Sequence, residues 1–182
     1  YFDKIKSVNP DMKVINASSG LELDRSLDPH VWTSPENAIK IVENIRDGFS
    51  DIDEENQELY YNNTAEYVNK LKALDTEIRF LINNDKFIVY HPAWGYFAKE
   101  YNLTQVSVQR RGKEPTAKII EDVINTAREN NISVIFASPQ FSSRSAEVIA
   151  DEINGKVAFV DPLEENYIQN MQKAAEAFTG KT

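Results

Sequence analysis

Two histidines and one aspartate, His30, His91 and Asp161, are the residues whose types and settings could do chemistry in this chain. No other histidine occurs among its 182 residues. His91 follows the apolar run Phe87–Tyr90 within FIVYHPAWGYFAKEY, which reads as a buried strand, a turn at Pro92, and a helix with apolar spacing at Trp94, Phe97, Ala98 and Tyr101. A histidine at the carboxyl end of a strand, just before a helix, sits where open α/β sheets place ligands. On its own such a residue is more often structural, and the same holds for His30, because the preceding Asp28-Pro29 is ordinary turn chemistry. Asp161 comes directly after the strand-like run Val157–Val160 and before Pro162, a place where an aspartate also ends strands or caps helices. Position makes the set more than its parts. His91 and Asp161 both follow strands of one expected parallel sheet and so emerge on the same edge. Two imidazoles and a carboxylate converging there would suit a borderline divalent cation such as zinc.

The elements that must position these residues are legible in outline. The helix tail Tyr1–Val8 ends at Asn9-Pro10, and Lys13–Ala17 reads as a strand before the turn Ser18-Ser19-Gly20. Leu21–Asp28 is polar and irregular. Thr33-Ser34-Pro35-Glu36 is a strong helix start, followed by Ala38, Ile41, Val42, Ile45 and Phe49 on one face. Asp53 then opens a longer helix to about Asn83, with Tyr60, Tyr67, Leu71, Leu74, Ile78 and Leu81 in a narrow seam. At roughly 45 Å it is longer than a small lobe is wide, so it reads as a spine between lobes. Beyond Asp85, strands Phe87–Tyr90, Gln105–Val108, Ser133–Ala137 and Val157–Val160 alternate with helices Ala93–Tyr101, Thr116–Asn130 and Ser143–Ile153. A last helix covers Glu165–Phe178. This alternation predicts a parallel sheet with right-handed crossovers. The expected architecture is α/β: two small α/β lobes joined by one long rigid helix. The divisions are residues 1–52 (a partial amino-terminal lobe), 53–84 (the spine) and 85–182 (the carboxyl-terminal lobe).

Composition narrows the classes. Hydrophobic content of 41% and charged content of 27% are ordinary for a globular protein. A net charge of −9 argues against nucleic-acid or anionic-membrane partners and is compatible with a cationic ligand. The absence of cysteine removes disulfides, thiolate metal sites and cysteine nucleophiles. The chain opens without a methionine, so a fragment or processed product is expected. Catalytic motifs are missing: there is no His-Glu-x-x-His helix, no Gly-x-Ser-x-Gly elbow and no phosphate-cradling glycine loop. Arg110-Arg111-Gly112-Lys113 is better read as a solvated basic loop than as an anion site.

The segments DPHVWTSPENA, YHPAWGYFAKEYNL, RRGKEPTAKIIEDVI, VIFASPQFSSRSAEVIADE and VDPLEENYIQNMQKA occur in the order and spacing of a known pattern. Over essentially its whole length the chain resembles the metal-binding solute-binding proteins of ABC importers, the cluster A-I group that delivers zinc or manganese. The resemblance implies two α/β lobes bridged by a long helix, with metal held between them. Its ligands would include the histidine of DPHxW, a histidine or glutamate after the first strand of the second lobe, and an aspartate near the end. On this sequence those are His30, His91 and Asp161. A further ligand normally lies upstream, and no candidate for it is present, so the chain looks like a member lacking its amino-terminal portion. Leu21–Asp28 carries no histidine-rich loop, and Ser138 stands where the family often has an acid before Pro-Gln; Ser138 is given no ligand role. His91, where manganese members tend to carry glutamate, tilts the choice towards Zn2+ over Mn2+.

The resulting expectation is a binding protein and not an enzyme: a monomeric, extracytoplasmic component of an ABC importer. It would hand its ion to a permease with its ATPase, and touch the membrane only through an upstream lipid anchor. Capture needs neutral imidazoles and an ionised carboxylate, so affinity should fall below about pH 6.5. Rival readings are a metal-dependent hydrolase using the same three residues and an exchangeable water, or a surface adhesion module.

Overall fold

The computed structural model describes residues 2–23, 28–110 and 112–179. Residues 24–27 of the polar stretch and Arg111 of the basic loop lie outside them. Three helices come first: α1 (Phe2–Val8), α2 (Pro35–Ser50) and α3 (Gln57–Leu81). The Ser34 hydroxyl accepts the Asn37 N–H and Pro35 occupies the first turn, which is why α2 starts where the sequence indicates. Its apolar face is only partly covered: Ala38 is buried, whereas Ile45 and Phe49 remain exposed. The predicted strand Lys13–Ala17 does not form. The described residues contain a single sheet, and it is built elsewhere, so this segment has no neighbour to pair with.

The long helix is shorter than the expected span from Asp53 to about Asn83, although the apolar seam from Tyr60 to Leu81 lies wholly within it. A short 3-10 turn, Glu54–Asn56, precedes α3, which at 25 residues is about 37 Å long. Asp53 spends its carboxylate on the Asn56 amide and the Tyr60 hydroxyl, and makes no side-chain cap. Leu71, Leu74 and Ile78 are the positions α3 buries most deeply.

After α3 come β1 (Lys86–Val89), α4 (Gly95–Glu100), β2 (Thr104–Ser107), α5 (Ala117–Glu129), β3 (Val134–Ala137), α6 (Arg144–Glu152), β4 (Lys156–Phe159) and α7 (Tyr167–Phe178). The strands form one parallel sheet in the order β2-β1-β3-β4. Both central strands are near-continuous apolar runs, as a sheet covered on both faces requires. Alternation along β1 divides the core. Phe87 and Val89 point to a layer with α3, α4 and α7, while Ile88 and Tyr90 point to a layer with α5 and α6. In the first layer Phe178 is a hub, with ring centroids 4.2 Å from Phe87, 4.9 Å from Phe136, 5.2 Å from Trp94 and 5.4 Å from Phe97. Among the described residues no helix is long and apolar enough to cross a membrane.

Because every strand runs the same way, all four carboxyl ends open on one edge. The residues just beyond β1, β2, β3 and β4 there are His91, Gln109, Ser138 with its turn, and Asp161.

Candidate metal centre

His91 is seated by the sheet. Tyr90 N–H donates to Phe136 O at 2.7 Å and Gln109 N–H to Tyr90 O at 2.8 Å, extending the ladder one residue past β1 and two past β2. That register sets the buried Gln109 side chain beside the imidazole, and Gln109 Oε1 lies 2.7 Å from His91 Nδ1. An amide oxygen only accepts, so Nδ1 carries the proton and Nε2 presents a lone pair. One face of the ring is covered by Phe141, stacked at 4.4 Å.

His30 is seated by tethers. It lies in the short connection before the 3-10 turn Val31–Thr33. Asp28 Oδ1 accepts both the His30 backbone N–H, at 3.0 Å, and His30 Nδ1–H, at 2.6 Å. This Asx turn fixes the same tautomer as at His91, again freeing Nε2. The carbonyls of the turn are taken by side chains from elsewhere: Asn37 Nδ2 donates to Val31 O and the Tyr167 hydroxyl to Trp32 O. Trp32 Nε1 donates to Pro162 O at 2.8 Å, tying the His30 segment to the residue after Asp161.

Gly95 makes room for this arrangement. A Cβ there would come within 2.8 Å of Asp28 Oδ2, so any side chain at the start of α4 would push the carboxylate that orients His30.

The two seats bring the free nitrogens together: His91 Nε2 and His30 Nε2 are 3.4 Å apart, with the rings at 81°. Tetrahedral zinc at about 2.0–2.1 Å from each nitrogen requires its ligand atoms to be about 3.4 Å apart. The spacing of the two Nε2 atoms matches that of two ligand atoms in such a shell.

Asp161 is not aimed there. Its Oδ1 accepts from Gln140 Nε2 at 2.7 Å and from Leu163 N–H at 2.8 Å. Among the described residues no group of three or more His, Cys, Asp or Glu is placed to hold an ion. The structure therefore brings together two of the three residues singled out in the sequence and holds the third aside. Ser138, buried, begins the turn that carries Gln140 and Phe141, and Phe141 N–H donates to Ser138 O.

Sequence reasoning missed a buried acid next to this region. Glu100, at the end of α4, accepts the Glu36 N–H of α2 at 3.2 Å through Oε1, and its side chain is 4% exposed. Its Oε2 is buried with no partner, and Arg79 Nη2 is 3.7 Å from Oε1. Burial pushes its carboxyl up to about 7; the bonds from Ser34 and Glu36 N–H act the other way, and the neighbouring Asp75 and Glu36 charges add to the rise.

A family model described as ZnuA: Zinc-uptake complex component A periplasmic matches residues 1–180. The chain is 35% identical over 161 residues to the Zinc-binding protein AdcA of Streptococcus pyogenes serotype M6, covering 86% of this chain and 31% of that protein. It is 34% identical over 173 residues to the High-affinity zinc uptake system protein ZnuA of Bacillus subtilis, covering 82% of this chain and 54% of that one. A crystal structure of ZnuA superposes with a TM-score of 0.92 at 34% identity, covering 98% of this chain and 73% of that chain. The chain thus spans about a third to a half of the length of these two curated relatives.

Proposed function

This chain belongs to the zinc-uptake complex component A family, and from that premise we propose that it captures a divalent transition metal, zinc before manganese, as the extracytoplasmic solute-binding component of an ABC importer. The single observation that carries the reading is the 3.4 Å separation of His30 Nε2 and His91 Nε2, the ligand spacing of tetrahedral zinc, with each Nδ1 tied to an acceptor.

In this reading His30 and His91 are the imidazole ligands and Asp161 is the carboxylate that joins them on loading. Residues 1–52 contribute part of an amino-terminal lobe, 53–84 the connecting spine and 85–182 the second lobe, with the ion between. Imidazole donors with one carboxylate favour zinc, and the divalent affinity order favours zinc over manganese on such a set. Permease and ATPase are the partners that would receive the ion, and the protein acts without a catalytic step. The named relatives are zinc-binding and zinc-uptake proteins, which favours capture over the hydrolytic reading.

The test is calorimetric titration of the full-length protein with zinc and then with manganese. Zinc binding at one to one, tighter than manganese and lost with His91→Ala, is the expected outcome. Zinc affinity unchanged by that substitution would sink the assignment.

A further inference from the structure

Asp161 has a fixed main chain and an engaged side chain. Val160 N–H donates to Ala137 O at 2.9 Å, Asn170 Nδ2 donates to Asp161 O at 2.7 Å, and Trp32 Nε1 holds Pro162 O at 2.8 Å. With the backbone pinned on both sides, the carboxylate can change partner mainly by turning about its own side-chain bonds. Its Oδ1 accepts from Gln140 Nε2, from the turn between β3 and α6, and from the Leu163 N–H two residues on. The next residue of that turn, Phe141, is the one stacked on His91. One short turn therefore touches two of the three residues assigned to the ion: Gln140 holds the carboxylate, and Phe141 covers the imidazole.

We propose that Gln140 is a positioning residue that parks Asp161. It holds the carboxylate off the histidine pair until an ion arrives, so that closing the coordination shell means exchanging the Gln140 hydrogen bond for a bond to the metal. The inference rests on the function proposed above and deepens it. Its chemical logic is that a carrier must release what it captures. A site whose last donor has an alternative partner binds less tightly and lets go sooner than one whose donors are all preset. The exchanged bond is charge-assisted, the stronger kind. Because water replaces part of what the amide supplies, removing it should shift binding by about three- to thirtyfold.

The sign separates this role from its opposite. Had Gln140 oriented Asp161 towards the ion, its loss would weaken binding. If it parks Asp161, its loss leaves the carboxylate held only by the Leu163 N–H, a bond within its own loop: binding tightens and release slows. Gln140 is exposed, so truncation leaves the core intact.

The experiment uses the full-length protein and zinc itself. Affinity is measured by calorimetry and release by stopped-flow mixing with a chelator, for the parent, Gln140→Ala, Asp161→Ala and the double variant. Cobalt(II) absorption reports the coordination number in each. The expected result is a three- to thirtyfold slower release in Gln140→Ala, with cobalt spectra like the parent's and no effect of Gln140→Ala in the Asp161→Ala background. Weaker binding in Gln140→Ala, no change, or an effect that survives without Asp161 overturns the proposal. Failure of the underlying reading has a different signature, a parent protein that does not bind zinc or a His91→Ala variant that binds as well as the parent. That result overturns both.

Discussion

The two histidines reach the same point by different means. His91 is an extension of a central strand: its backbone neighbours are ladder-bonded on both sides, and its orienting partner, Gln109, belongs to the adjacent strand end. His30 stands on an irregular turn whose shape is maintained by separate tethers from Asp28, Asn37, Tyr167 and Trp32. The first seat is a by-product of the sheet and costs little beyond it. The second is assembled from side-chain hydrogen bonds, so it can be loosened without unfolding anything. The orienting acceptors differ too, a neutral amide at His91 and a carboxylate at His30.

This contrast can be broken in graded ways. Replacing either imidazole, His30→Ala or His91→Ala, should lower zinc affinity by more than about a hundredfold in calorimetry, exceeding what loss of an outer partner costs. Equal binding in either variant would remove that residue from the site. Next come the orienting acceptors. Asp28→Ala and Gln109→Ala should each cost about 10–100-fold in zinc affinity. Gln109→Ala should also lower the melting temperature, and by more than Asp28→Ala, because Gln109 is 5% exposed in the sheet-end packing, whereas the partly buried Asp28 carboxylate bonds the His30 turn outside the sheet. Matching thermal losses in the two variants would erase the distinction between the seats. Smaller still is Gly95→Ala, whose new Cβ presses on Asp28 Oδ2; zinc affinity should fall by about three- to tenfold with the fold unchanged.

The smallest effect is on stability and concerns Glu100, which anchors the start of the helix that follows the His30 turn. Its folded-state value of about 7 lies above the ordinary 4.5, so between those values the folded chain holds a proton that the unfolded chain has lost. Stability from this group is therefore present at low pH and declines as pH rises through that window. Glu100→Gln stays neutral. Its melting temperature relative to the parent should climb by roughly 3–10 °C between pH 4.5 and 8. A flat difference would remove the buried-acid account.

The sheet was readable because its signals are local. Four apolar runs, each followed by turn residues and an amphipathic segment, leave little choice but a parallel α/β layer, and Ser34-Pro35 announces α2 outright. Lys13–Ala17 misled because strand character in five residues says nothing about a partner. The spine was overestimated at its start because Asp53 reads as a helix cap, yet its carboxylate bonds Asn56 and Tyr60 and a 3-10 turn intervenes before α3. Asp28 left a trace, since Asp-Pro-His places an acceptor two residues before a donor. Gln109 left none: its meeting with His91 depends on β2 lying beside β1, a matter of strand order. The parking of Asp161 and the burial of Glu100 are likewise set by which segments meet in space, and neither has a pattern of its own.

Phe178 gathers Phe87, Phe136, Trp94 and Phe97 around a residue in the final turn of the last helix. For a chain made, or threaded through a pore, amino end first, this imposes an order. Strands near residues 87 and 136 emerge well before the ring that closes their shared cavity, and Asn84 finds its second acceptor only at Phe178 O. The aromatic layer beneath the histidine edge therefore stays open until the last helix is out.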